Sequence, residues 1–166
     1  MFEASRIDST DKPSFYRELA AQMSALLSGE RDEIANAANA AALIFQTMPD
    51  LNWAGFYFLR SPQELVVGPF QGKPACVRIA VGRGVCGTAV AERRSIRVDD
   101  VTSAENHIFC DPDSRSELVV PLMRDGAVVG VLDLDSPVPG RFDPEDQVGV
   151  ERLVTIYLEA CAGESL

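Results

Sequence analysis

The chain has 166 residues, with 25 acidic against 15 basic side chains, a formal net charge of −10, and 46% apolar residues. That size and composition predict one folded domain and exclude disorder, and the charge balance excludes a nucleic-acid or anionic-membrane surface, which needs clustered Lys and Arg. A single histidine, His107, excludes every multi-histidine metal site, and no apolar run approaches the ~18 residues of a membrane span.

The opening MFEASRIDST lacks the basic-then-apolar layout of a signal peptide, so a cytoplasmic location is expected. Residues 1–12 read as an N-terminal tail, and 13–162 as a single domain. Pro13 opens an amphipathic helix over 14–27, with Phe15, Leu19, Met23, Leu26 and Leu27 on one stripe and Gly29 ending it. A second, alanine-rich helix spans 31–47 and stops at Met48-Pro49-Asp50. Trp53 to Leu59 reads as a central strand, Ser61-Pro62-Gln63 as a turn and Glu64 to Val67 as its partner. Gly68 to Pro74 is predicted as a loop, Cys76 to Ile79 as a short strand, Val85 to Arg93 as a short helix and Ser95 to Val98 as another strand. Residues 99–115 form a long irregular segment, of a length that usually carries function. Two strong strands, Glu117 to Arg124 and Ala127 to Asp135, flank Asp125-Gly126, a hairpin signal. Asp143 and Pro144 start a last helix, as N-cap and first helical residue, which runs to about Cys161. Helices grouped at both ends of the chain around five or six strands predict an α+β fold. An antiparallel sheet is then covered by helices on one face, and on the other by the loops at 68–76 and 99–115, which enclose a pocket.

Four cysteines are the informative residues: Cys76, Cys86, Cys110 and Cys161. No pair has the C-x-x-C spacing of a zinc or thioredoxin-type motif, and a reducing compartment disfavours structural disulfides. Three of the four cluster in loop-like sequence, which points to redox chemistry over buried inert thiols. A cysteine reacts as its thiolate, so surroundings decide. Cys86 stands near a helix start, where backbone N–H groups favour a thiolate. Cys110 is flanked by Asp111 and Asp113, which disfavour one unless compensated. Cys161 sits at the end of the last helix.

Acids form a second constellation. Asp133 and Asp135, at i and i+2 on one strand, share a face of the sheet, and Glu117 lies toward the corresponding end of the hairpin partner. Crowded carboxyls raise one another's pKa, so one of them is left protonated near neutrality, able to donate a proton while a neighbour binds an ammonium group. A hard cation such as Mg²⁺ on the same acids is the alternative reading. Trp53 and Tyr57, four apart on one strand, share a face as core or as an apolar pocket wall.

The segments 68–76 (GPFQGKPAC), 82–89 (GRGVCGTA), 98–101 (VDDV), 107–111 (HIFCD), 114–121 (SRSELVVP) and 130–137 (GVLDLDSP) closely resemble the free methionine-R-sulfoxide reductases, which are stand-alone GAF-domain enzymes. The resemblance runs from about Pro13 to Ala160. It implies a GAF-like antiparallel sheet of about six strands and reduction of the R-sulfoxide of free methionine. By this resemblance Cys110 is the nucleophile, which becomes a sulfenic acid and then forms a disulfide with Cys76 or Cys86. Thioredoxin or a similar dithiol reductant restores the thiols. Glu117, Asp133 and Asp135 match the family's substrate-binding and proton-donating acids, and Trp53 and Tyr57 its pocket aromatics. No metal or organic cofactor is implied. The N-terminal helices offer a face for a homodimer. The rival readings are a ligand-binding GAF sensor and a peroxide-sensing thiol protein.

Overall fold

The computed structural model describes residues 2–103 and 111–162. Helices α1 (Lys12–Leu27) and α2 (Glu33–Thr47) come first, followed by strands β1 (Trp53–Ser61), β2 (Glu64–Gly72) and β3 (Arg78–Ala80). Helix α3 (Gly84–Glu92), strand β4 (Ile96–Val98), a short 3-10 turn at Val101–Ser103, strands β5 (Ser116–Arg124) and β6 (Ala127–Ser136) and helix α4 (Pro144–Cys161) complete the order. The strands form one antiparallel sheet in the order β3-β2-β1-β6-β5-β4. No described helix is long and apolar enough to cross a membrane.

Local chemistry sets the element ends. The carboxylate of Asp32 accepts the backbone N–H groups of Ile34 and Ala35 and so caps α2. Asp143 and Asp146 form a reciprocal capping box at the start of α4. Lys12 donates to both of those carboxylates at 2.6 Å, while the Tyr16 hydroxyl donates to Asp146 at 2.8 Å. This partly buried hub pins the start of α1 to the first turn of α4. The β5–β6 hairpin closes through Asp125 (φ 50°) and Gly126 (φ 76°), the left-handed pair that a two-residue turn requires.

Strand alternation divides the interior in two. Ala54, Phe56 and Phe58 of β1, with Leu118, Val120, Leu132 and Leu134, face α1, α2 and α4 and form the larger core. Trp53 and Tyr57, with Leu65, Val119 and Val131, face the other way and pack under Val85, Cys86, Ala89 and Val90 of α3. Thus α3 shares the covering of the second face with the connection between β2 and β3, where Ala75 and Cys76 pack against the same cluster; of the 99–115 segment given the same role from sequence, residues 104–110 lie outside the described residues. Strand β2 also runs further than its sequence suggested, through Gly68 to Gly72. A register irregularity between Gly55 and Tyr57 lets Phe70 pair with Gly55 and Gly72 with Trp53, so this Gly- and Pro-containing stretch stays in the ladder. Cys76 consequently lies in the connection before β3, not within it.

Candidate active site

Register brings the three acids together. Glu117 on β5 stands opposite Asp135 on β6, and Asp135 stands opposite Trp53 on β1. One rung along the same face, Val119, Asp133 and Gly55 are aligned. Glu117 is 5% exposed and Asp133 6%. Burial pushes the carboxyl of Glu117 well above its ordinary range, and the charge of Asp135 adds to the effect. Burial likewise raises Asp133, reinforced by Glu117, and raises Asp135, reinforced by Asp133 and Asp111. Such a cluster cannot ionise fully near neutrality and therefore keeps a transferable proton. The Asp133 Oδ1 atom is buried with no hydrogen-bond partner among the described residues, and Asp133 is one of the residues that line the cavity.

That cavity has a volume of about 40 Å³, room for a few waters. Trp53, Tyr57, Cys86 and the three acids line it, with Lys73 and Asp111 at its edge. Trp53 stacks between Tyr57 and Phe70, at ring-centre distances of 5.8 and 5.2 Å. This stack requires glycine at position 55. A Cβ there would lie 2.3 Å from that of Phe70 and 2.7 Å from the indole. Both strand aromatics also hold the loop above them. The Trp53 Nε1–H donates to the Lys73 carbonyl at 3.1 Å, and the Tyr57 hydroxyl donates to the Cys76 carbonyl at 3.0 Å.

The cysteines occupy distinct environments. Cys76 is half-buried and disulfide-bonded. Cys86 and Cys161 carry free thiols. Cys161 packs against the larger core, across the sheet from the pocket. Cys110 and His107 lie outside the described residues. Cys86 corrects the expectation drawn from its helix-start position. Its sulfur lies in the first turn of α3 but points at Asp133, 3.3 Å from Oδ2. Burial pushes this thiol well above its ordinary value, and the charges of Asp133 and Glu117 push it further. Desolvation and neighbouring acids outweigh the helix end, so Cys86 stays protonated.

Lys73, Asn52 and Ser114, not singled out from sequence, gather around Asp111 at the edge of the cavity. Lys73 Nζ donates to Asp111 at 3.2 Å and to Asp113 at 2.5 Å. Asn52 Nδ2 donates to Asp111 and to the Ser114 hydroxyl. The Asp113 backbone N–H, followed by the Lys73 ammonium, holds the Asp111 carboxyl below its usual range. The two acids beside Cys110 are thus compensated by a lysine from the facing loop. Its sequence signal is faint: one base in an apolar Gly/Pro stretch, Gly72-Lys73-Pro74.

Cys86, Glu117 and Asp133 each offer a ligand atom within 4.8 Å of the others. A cation there would have to displace protons that burial holds in place. The thiol among the ligands also departs from the all-oxygen set that Mg²⁺ takes.

The GAF domain family matches residues 35–160. The free methionine-R-sulfoxide reductase of Escherichia coli is 51% identical over 144 residues, covering 87% of each chain. The yeast (Saccharomyces cerevisiae) enzyme of the same name is 37% identical, covering 91% of this chain and 88% of its own. Among solved structures, that of the Neisseria meningitidis free methionine-R-sulfoxide reductase in complex with its substrate superposes with a TM-score of 0.92. It shares 40% identity and covers 97% of this chain and 96% of its own.

Proposed function

The chain belongs to the GAF domain family and, within it, to the free methionine-R-sulfoxide reductases, and on that premise we propose that its carboxyl-lined cavity is where a cysteine thiolate removes the oxygen of the substrate. The protein is an oxidoreductase that reduces the R-sulfoxide of free methionine.

Cys110 supplies the nucleophile. Its thiolate forms a bond to the sulfoxide sulfur while the sulfoxide oxygen takes up a proton. Collapse transfers that oxygen to Cys110 as a sulfenic acid and releases methionine. The proton comes from Glu117, Asp133 or Asp135, whose burial keeps one of them protonated until a developing oxyanion needs it. An ionised member of the trio binds the α-ammonium that a free amino acid has and an internal peptide residue lacks. Trp53 and Tyr57 form the apolar wall for the methyl and side-chain carbons.

Cys76 is the resolving thiol in this reading. It attacks the sulfenic sulfur, water leaves, and a Cys76–Cys110 disulfide remains. Two observations support Cys76 over Cys86: Cys76 is engaged in a disulfide, and Cys86 is a buried free thiol among carboxyls that oppose its ionisation. An external dithiol of the thioredoxin class then exchanges with the disulfide and returns both thiols, as a reducing cytoplasm allows. A single domain over 13–162 suffices for these steps. The outer faces of the N-terminal helices are the homodimer surface, a reading that light scattering on the purified protein checks.

The convergence of Glu117, Asp133 and Asp135 beneath two aromatics carries the reading. The test is to mix reduced protein with dithiothreitol and free methionine-R-sulfoxide, and to measure methionine. Turnover with the free R-sulfoxide, absent with the S-sulfoxide and with a peptide sulfoxide and lost in Cys110→Ser, is the expected result. Binding without turnover would instead identify a GAF sensor.

A further inference from the structure

Cys86 is left without a covalent role by the assignment of Cys76, yet its sulfur is held with care against the acid cluster. Helix α3 begins pressed onto the sheet. Gly87 has no side chain to prevent this, and a Cβ there would lie 2.3 Å from the Ala80 carbonyl oxygen. The Gly82 N–H also donates to the Gly87 carbonyl at 2.8 Å. This close seating drives Cys86 down to 3% exposure and brings Sγ to 3.3 Å from Asp133 Oδ2. A protonated thiol at that distance donates, and a carboxylate oxygen accepts. Asp133 therefore has one oxygen occupied by Cys86, while Oδ1 stays without a partner among the described residues.

We infer that Cys86 is a positioning residue for the reduction: its S–H donates to Asp133 Oδ2, fixes the carboxyl plane and leaves Oδ1 aimed into the substrate cavity. The inference rests on the assignment of Cys76 as the resolving thiol. It gives the close seating of α3 a chemical purpose without any ionisation of Cys86.

Donation to a carboxylate favours its ionised form, so the thiol restrains the rise that burial imposes on Asp133. The other groups facing this carboxyl are Glu117 from β5, Tyr57 from β1 and Asp135 on its own strand. Asp111, paired with Lys73, acts from the Asp135 end. None of these changes when Cys86 is replaced, so a shift in the titration of the cluster reports the lost S–H donor.

The experiment compares wild type, Cys86→Ala and Cys86→Ser in the pH profile of kcat/KM for free methionine-R-sulfoxide. Single-turnover mapping of the disulfide by mass spectrometry accompanies it. Cys86→Ala should lower kcat/KM about tenfold, the scale of a hydrogen bond to a charged group. It should also move the profile's carboxyl limb upward by about half a pH unit or more. Cys86→Ser, which restores a donor of similar size, should return both toward wild type. Both variants should still form the Cys76–Cys110 disulfide. An alanine profile that superposes on wild type, or a serine variant that restores nothing, overturns the positioning role alone. Failure of both variants to form the disulfide overturns the assignment of Cys76, and with it this inference.

Discussion

The hydroxyl of Tyr57 donates to the main-chain carbonyl of Cys76 at 3.0 Å, so a central strand of the sheet holds the backbone of a disulfide-bonded cysteine. Burial, followed by the charge of Asp133, raises the hydroxyl pKa far above the neutral range, and the group remains a donor throughout working pH. Tyr57 thus has two duties: its ring walls the pocket and its oxygen sets the height of the Cys76 loop.

Tyr57→Phe separates the two, because the ring stays and the donor goes. Loss of one such hydrogen bond should slow disulfide closure about five- to tenfold. Methionine release in a first turnover should change much less. The sulfenic acid then accumulates, and quantifying it with a dimedone-type trap checks the outcome. Equal trapping in wild type and variant would contradict the anchoring role.

Lys73→Met should disconnect the Cys76 loop from Asp111 and Asp113. Lys73 is well exposed, so its pairs are screened by salt and contribute little to stability. The expected signature is a severalfold rise in KM with Tm unchanged. Wild-type KM should climb with ionic strength toward the variant's value, and the variant's own KM should not respond. Steady-state kinetics at low and high salt read this directly.

Glu117→Gln should stabilise the protein while removing activity. The folded-state pKa of Glu117 lies above the unfolded value, so above pH ~4 the native state binds more protons than the unfolded chain. Stability then falls as pH rises from the unfolded pKa toward the folded one. A neutral amide abolishes that loss. At pH near 8 the variant should melt higher by roughly 2–4 °C, the equivalent of about 1 kcal/mol in a domain of this size. Below the unfolded pKa the two proteins should converge, and thermal melts across pH follow the difference.

Gly55→Ala tests the floor of the aromatic stack. The added methyl collides with Phe70 and with the indole of Trp53. Overpacking of this kind costs about 1–3 kcal/mol. The displaced indole should lose its hydrogen bond to the Lys73 carbonyl, visible as a shift in the fluorescence of the chain's single tryptophan. Wild-type emission together with wild-type stability would contradict the geometry.

The sheet and its helices were legible where the signals are local. Asp143-Pro144 and Asp125-Gly126 each mark a boundary through their own capping or turn chemistry, whereas the Asp32 cap of α2 was not read. The spacing of Asp133 and Asp135 sufficed to place both on one face. Glu117 could be joined to them only by hairpin register, which the short turn fixes. The extension of β2 through Gly68 to Gly72 was hidden, because the irregularity opposite Gly55 breaks the alternation that a strand displays. The protonated state of Cys86 was also hidden. Helix-start position is read from nearby residues, whereas the opposing burial and carboxyl charge come from β5 and β6, about thirty to fifty residues away. For the same reason the Lys73–Asp111 pairing, which spans 38 residues, left only the faint trace of one base in a Gly/Pro stretch.

Because β1 sends Ala54, Phe56 and Phe58 to one side and Trp53, Gly55 and Tyr57 to the other, the architecture and the chemistry draw on separate letters of a single segment. A lineage is free to rewrite the odd-numbered wall for a new ligand while the even-numbered side keeps the chain folded. Inheritance of this scaffold by proteins with unrelated tasks requires no more than that independence.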